Sequence, residues 1–395
     1  MKILIVCNYY QPQFGYSESK IAESLVSLGH TVEILTGDSY FPFPDYDSTV
    51  KAVLGPRKVG VGKTTLHKIP VTRQRTYLEF FARSLFFGIK EKIVEYHPDV
   101  VIVFGISTPA CVQVALAKKS HHFTFLAVDS HLPSEFQSGN QLIKNSFYAA
   151  FRFFFSKLIN TSLDVPIAVQ EDTTPIIKKY YGVTKKCALI SHGTDCDFFK
   201  PSSQQKKSLR KKLKISEGAF VVLYTGKVIP SKGVHVLCEA FSVLKSKYAK
   251  KDLQLILVGD GPSEYKESCL EACKKYKKHV HITGMLPQTE LPAFYAASDV
   301  AVWPLQESLA MLDAAASQIP FIANDTLGAR ERIQNDNALL YKVGNVIDLA
   351  EKIELLMINP KLKAKMGISG RTLVESKFSW KQRAQEYVRL AKRIK

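Results

Sequence analysis

Short apolar, β-branched runs alternate with helix-length segments along almost the whole chain, and this alternation constrains the fold most strongly. Parallel strands cannot be joined by tight hairpins. Each pair needs a crossover, usually a helix. The pattern therefore predicts an α/β protein with doubly wound parallel sheets. In the first half, strands are expected at Ile3–Cys7, Val32–Thr36, Val100–Phe104, Phe123–Val128, Ile167–Val169 and Ala188–Ser191. In the second half they are expected at Val221–Tyr224, Leu255–Val258, Val280–Thr283, Val300–Val302 and Phe321–Ala323. Helices are expected at Val234–Lys247, Glu264–Tyr276, Leu291–Ala297 and Met311–Ser317. The segment Asp38–Gly62, rich in Pro, Asp, Ser and Gly, reads as an irregular loop.

A chain of 395 residues has room for two such domains. The stretch HGTDCDFFKPSSQQKKS reads as the linker, with an acidic turn, a proline and a basic run, which places the boundary near Pro201. The seven cysteines are scattered with no C-x-x-C pair, which points to a reducing compartment without structural zinc. The amino-terminal run MKILIVCNYY reads as a buried strand and not a secretory leader, and no apolar run is long enough to span a bilayer. A cytoplasmic location is expected. The net charge of +18 favours anionic partners: sugar nucleotides, lipid phosphates, an acidic membrane surface or nucleic acid. No helix-turn-helix, zinc-finger or aromatic RNA motif accompanies that charge, so nucleic acid is not expected.

Between Thr225 and Ala316 the chain reads TGKVIPSKG, LVGDGP, ITG and WPLQESLAMLDAAASQIP, each piece ending a strand or opening the helix after it. These pieces put two cations, several glycines and two carboxylates along one edge of a parallel sheet, where open α/β domains bind nucleotides. A weaker edge of the same kind follows the first strand. With MKILIV, QPQFGYSE, LGHTVEILT, DVVIV, HGTDCDFFKP, LPAFYAASDVAVWP, LGARE and KFSWKQRAQEY, in this order and spacing, the chain resembles the retaining glycosyltransferases of family 4 nearly end to end. The resemblance implies a GT-B fold of two Rossmann-like domains with an interdomain cleft. It divides the chain into an acceptor-binding domain over 1–200, a nucleotide-sugar-binding domain over 201–375 and a tail over 376–395 that returns to the first domain. No cofactor or metal is implied. The donor would be a UDP-sugar or GDP-sugar.

Transfer from a nucleotide sugar needs charge stabilisation on the departing diphosphate, acceptors for the sugar hydroxyls and a held acceptor hydroxyl. Lys227 and Lys232, beside a helix amino terminus, would clamp the diphosphate. The family usually has Arg where Lys227 stands, so the charge is kept but the bidentate fork is lost. The family also carries two glutamates at wider spacing where this chain has Glu307 and Asp313, six apart. Glu307 is the candidate contact to the transferred sugar and Asp313 to the ribose. Leu309–Ala310 replaces the usual Phe-Gly of this loop. Gly259 permits close approach to the nucleotide, and Gly284 lies in the loop near the base in relatives. Gly15 stands where relatives carry a glycine pair; Tyr16 replaces the second glycine and narrows the space beside the acceptor. Asp129 and His131 follow a buried strand, and the resemblance makes His131 a contact to the transferred sugar. Glu18 reads as a first-turn helix acid, and Asp195 and Asp197 as braces of the crossover.

Two segments, 76–92 and 141–160, are rich in Phe and basic residues and read as helices, either covering the sheet or lying on an anionic membrane. The expected protein is thus a glycosyltransferase acting on a glycan or lipid-linked acceptor, cytoplasmic or peripheral on the inner membrane face. The alternative is a catalytically weak GT-B protein that serves as a nucleotide-sugar-binding partner subunit or sensor.

Overall fold

The computed structural model describes residues 1–394 apart from 134, 135, 137–139, 307, 326 and 335. The chain forms two compact units. One comprises Met1–Phe43, 54–192 and 380–395, and the other 44–53 and 193–379. The division thus falls at His192/Gly193, upstream of Pro201, and again at Ser379/Trp380.

The first unit is built on strands β1 (Lys2–Cys7), β2 (Thr31–Gly37), β3 (Gly62–Leu66), β4 (Ile69–Gln74), β7 (Val100–Phe104), β8 (Thr124–Asp129), β9 (Val165–Ala168) and β10 (Ala188–Leu189). They lie in the order β10-β9-β8-β7-β1-β2-β4-β3, and all pair parallel except β3 with β4. The central strands are buried on both faces, as a parallel sheet sheathed by helices requires. β2 lies on one side of β1 and β7 on the other, so the chain reverses its winding between β1 and β7. Their register, Ile3↔Val100 to Cys7↔Phe104, brings both strands to the same edge together. That reversal point, beyond the carboxyl ends of the strands, is where an open α/β sheet leaves a crevice.

The tail helix Trp380–Ile394 packs within this unit. Trp380, Ala384, Tyr387 and Ala391 form a buried stripe at helical spacing, and they share a core with Ile21 and Leu25 of the helix Ser17–Ser27.

The second unit has six parallel strands: β11 (Phe220–Thr225), β12 (Leu253–Val258), β13 (Val280–Ile282), β14 (Val300–Trp303), β15 (Phe321–Asn324) and β16 (Ala338–Tyr341). Their order is β13-β12-β11-β14-β15-β16, with the reversal between β11 and β14. The helix Val234–Lys247 follows β11, and Ser263–Ala272 follows β12. The latter ends short of the expected Tyr276, because Lys274–His279 tightens into 3₁₀ turns.

Two expectations are corrected. The segment 76–92 is not one helix: β5 (Thr76–Phe80) and β6 (Arg83–Phe86) pair as an antiparallel hairpin, and a helix begins only at Ile89. The turn residues Phe81 and Ala82 both have positive φ, +46° and +56°. Two-residue hairpins favour this backbone, but it is usually written with Asn and Gly, so the turn carries no sequence signal. The second correction adds β3, β4 and β16 to the expected strands. β3 is largely exposed and polar, and its alternation is too weak to show.

Candidate active site

In the first unit, the loops leaving β1, β7 and β8 enclose a pocket of about 250 Å³ at the reversal point. Tyr16, Asp129 and His131 all line it. Asp129 is the last residue of β8 and is buried. Its Oδ1 accepts from the His131 backbone N–H at 3.1 Å and pairs with His131 Nδ1 at 2.9 Å. Burial pushes the Asp129 carboxyl up, but the charge and hydrogen bonds of His131, with Arg83 behind them, outweigh it and hold the pKa below the usual value. Beside an ionised carboxylate Nδ1 carries a proton in either charge state of the ring, and when the ring is neutral Nε2 is left as the acceptor. Tyr181 Oη lies 3.2 Å from the same Nδ1. Two further acceptors on the pocket wall, Asp129 Oδ2 and Asn8 Oδ1, are buried without a hydrogen-bond partner among the described residues. Buried acceptors of this kind are satisfied by a ligand's hydroxyls or by water.

Gly15 is not on the pocket wall. It ends the 3₁₀ turn Pro12–Phe14 at φ +61°, its N–H bonded to the Pro12 carbonyl at 2.9 Å. That turn presents Tyr16 and then Glu18 to the pocket. Glu18 is in the first turn of Ser17–Ser27, as expected, but it is also a pocket residue. Glu18 is half-buried on the pocket wall, and burial of its carboxyl pushes its pKa up to about 7. Arg83 is a second pocket residue that the sequence does not single out. It is buried and donates to the Ser107 carbonyl and hydroxyl, to Tyr148 Oη at 3.0 Å and to the Phe81 carbonyl at 2.9 Å. An arginine inside an aromatic segment reads as surface charge. Only the folded hairpin turns it inward.

In the second unit the loops after β11, β12 and β14 gather at the same kind of edge. Lys227 is exposed on the first loop, whose backbone is held by Tyr224 Oη donating to the Lys227 carbonyl at 2.6 Å. Lys232 closes the 3₁₀ turn Pro230–Lys232, and Gly233 then turns the chain at φ +70° into the helix Val234–Lys247. A Cβ on Gly233 would lie 2.3 Å from Leu305 Cγ, and Leu305 N–H donates to the Lys232 carbonyl at 3.3 Å. The lysine loop and the loop carrying the expected acids are thus in contact.

Gly259 has a structural reason of its own. A Cβ there would stand 1.8 Å from the Gly226 carbonyl oxygen, and its N–H donates to the Gly284 carbonyl at 3.0 Å. The two glycines therefore serve the crossing of three loops, and that crossing supports Lys227. Asp313 lies in the helix Ala310–Ala316, half-buried, and accepts from Thr194 Oγ1 at 2.7 Å. Leu309 precedes that helix and Ala310 opens it. Glu307 lies outside the described residues. Its loop is anchored on either side: Tyr341 Oη donates to the Pro304 carbonyl at 2.5 Å and buried Arg332 to the Ser308 carbonyl at 3.1 Å. Asp195 braces the crossover by accepting from the Asp197 and Phe198 N–H groups, so Asp197 takes part through its backbone.

Among the described residues, no cluster of His, Cys, Asp or Glu could hold a metal ion, and no helix is long and apolar enough to cross a membrane.

Residues 205–373 match the family described as glycosyl transferases group 1, and residues 19–198 match glycosyltransferase family 4. The chain is 27% identical over 233 residues to a GDP-mannose-dependent monoacylated alpha-(1-6)-phosphatidylinositol monomannoside mannosyltransferase of Corynebacterium glutamicum, covering 56% of this chain and 60% of the relative. It is 30% identical over 184 residues to the putative glycosyltransferase EpsD of Bacillus subtilis, covering 45% and 47%. The chain thus spans 60% or less of these relatives' length. Among solved structures, it is similar to sucrose-phosphate synthase from Thermosynechococcus elongatus, with TM-score 0.74 and 18% identity over 100% of this chain and 99% of that one. It is also similar to Anabaena HepE in complex with UDP, with TM-score 0.72 and 18% identity over 98% and 99%. At such identity the likeness shows the fold, which is GT-B.

Proposed function

The chain belongs to the family 4 type of GT-B glycosyltransferases, and from that premise we propose that it moves a hexose from a nucleotide-diphosphate sugar to a glycan or lipid-linked acceptor, with retained anomeric configuration. One observation carries the reading. In each unit the residues singled out for chemistry collect at the reversal point of a parallel sheet, cations in one and a carboxylate–imidazole pocket in the other. In this reading Lys227 and Lys232 neutralise the diphosphate and Asp313 accepts from the ribose. Glu307, with the backbone at Leu309 and Ala310, receives the donor sugar, and Gly284 passes near the base. Tyr16 and Glu18 border the acceptor, and His131, oriented by Asp129, meets the transferred sugar. The bond from the anomeric carbon to the diphosphate breaks as the acceptor oxygen bonds to that carbon. The acceptor proton leaves with the phosphate. A GDP-mannose-dependent relative and a UDP-bound structural neighbour make GDP-sugars and UDP-sugars the first donors to try. The helix Gln141–Ser162, aromatic and cationic, favours attachment to an anionic membrane.

The test is a thermal-shift screen with UDP, GDP, ADP and their common sugar conjugates, run on the wild type and on Lys232→Ala. A ligand at about 100 times its Kd stabilises by roughly 2.7 kcal/mol. We expect one nucleotide to shift the wild type and the shift to vanish in the variant. No response to any donor would sink the proposal.

A further inference from the structure

The hairpin β5–β6 joins the pocket to an exposed aromatic strip. Phe81, Ala82 and Arg83 of its turn are pocket residues, and Phe81 is 51% exposed. Its ring lies 5.4 Å from that of Phe147 on the long helix Gln141–Ser162, and Phe80 meets the same ring edge-on at 6.0 Å. The helix then exposes Leu142 (80%), Phe153 (82%) and Phe154 (68%), while the hairpin exposes Tyr77 and Leu78. Large exposed apolar patches mark binding surfaces. The turn itself departs from the cheapest solution. Phe81 and Ala82 occupy a left-handed backbone that Asn and Gly adopt with little strain, and Arg83 holds the Phe81 carbonyl in place. A turn of this backbone that holds an exposed phenyl ring at a pocket wall is suited to contact with a ligand. The strip is cationic on balance: the helix carries Lys144, Arg152 and Lys157 and no carboxylate, Arg75 lies 5.5 Å over the Tyr77 ring, and the hairpin's carboxylate, Glu79, is paired with Arg57.

Resting on the reading above, we infer that the acceptor is an anionic amphiphile whose hydroxyls enter the pocket, whose charge stays outside it on the side of the cations, and whose hydrocarbon chain leaves over Phe81 and along Phe147. The aromatic rings suit an isoprenoid or acyl chain, and the flanking cations suit a phosphate-bearing lipid and disfavour a neutral one. Oligosaccharide alone would leave the strip uncovered.

The probe is farnesyl phosphate below its aggregation concentration, measured by equilibrium dialysis against the full chain, with inorganic phosphate as the chainless control. We expect saturable binding at one site and none comparable for inorganic phosphate. The double variant Phe81→Asn, Ala82→Gly keeps the turn in its favoured sequence while removing the ring. It should weaken farnesyl phosphate about tenfold, as loss of a buried aromatic contact implies. Its donor thermal shift should be unchanged, which also shows that it is folded. Absence of saturable binding, binding untouched by the double variant, or retention only on phosphatidylglycerol vesicles would each overturn the inference; the last would make the strip a bilayer dock. If the wild type shows no donor shift, the transferase reading fails, and the farnesyl phosphate result still decides the strip.

Discussion

The two sheet edges are built by opposite means. In the second unit the loops are shaped by backbone meeting backbone. Gly226, Gly259 and Gly284 cross so closely that a Cβ on Gly259 would strike the Gly226 carbonyl, and the lysines ride on that frame. In the first unit the pocket is shaped by side chains: Asp129 orients His131, Arg83 pins the hairpin, and Glu18 is pressed into the wall. A loop frame built of backbone contacts is sensitive to an added atom and indifferent to protonation. A side-chain-built site tolerates small changes of shape but depends on charge.

The largest effect should come from the backbone site. Gly259→Ala puts a methyl group 1.8 Å from the Gly226 carbonyl at φ +143°. We expect it to lower the unfolding free energy by about 3 kcal/mol in urea titration, through overpacking and backbone strain combined. A loss under about 1 kcal/mol would mean that the loops part easily and that the contrast is false.

Next is Asp129→Asn, which keeps the shape and removes the charge. Nucleotide release from the donor found by thermal shift should slow by about a hundredfold in kcat, with donor binding retained, because His131 loses its orienting partner. Unchanged kcat would remove Asp129 and His131 from the chemistry. The same carboxyl supports the fold. Its pKa is depressed from 3.8, so its stabilising contribution is present above about pH 3.8 and is lost as pH falls through the lower folded value.

The smallest effect is Glu18→Gln. The Glu18 pKa rises from 4.5 to about 7 on folding, so its ionisation opposes folding increasingly between those values and fully above them. The variant should therefore raise the melting temperature at pH 8 and change it little at pH 4. An equal change at both pH values would mean that the carboxyl is not buried against the pocket wall.

How much of the molecule is legible in its residues follows from the same contrast. Glycines, lysines at strand ends and alternating apolar runs write themselves locally, so TGKVIPSKG and LVGDGP alone are enough to mark the second-unit edge. The pairing of Asp129 with His131 is half-visible, since two positions separate them. Arg83 and Glu18 are not visible as pocket residues. Arg83 points inward because a hairpin forms where the aromatic spacing suggests a helix, and Glu18 reaches the pocket because Gly15 turns the chain. Gly259 reads as room for a ligand, but the space is already taken by another loop.

The sequence by itself determined the α/β class, the two sheets, most of the strands and helices, and the loops that carry the cations. Those depend on periodicity and on backbone freedom, which neighbouring residues encode. Only the tertiary structure decided that 76–86 is a hairpin with a strained turn, that Arg83 turns inward from it, and that a first-turn glutamate faces a pocket. Each of these depends on which distant surface removes a side chain from water, and no stretch of neighbouring residues specifies that surface.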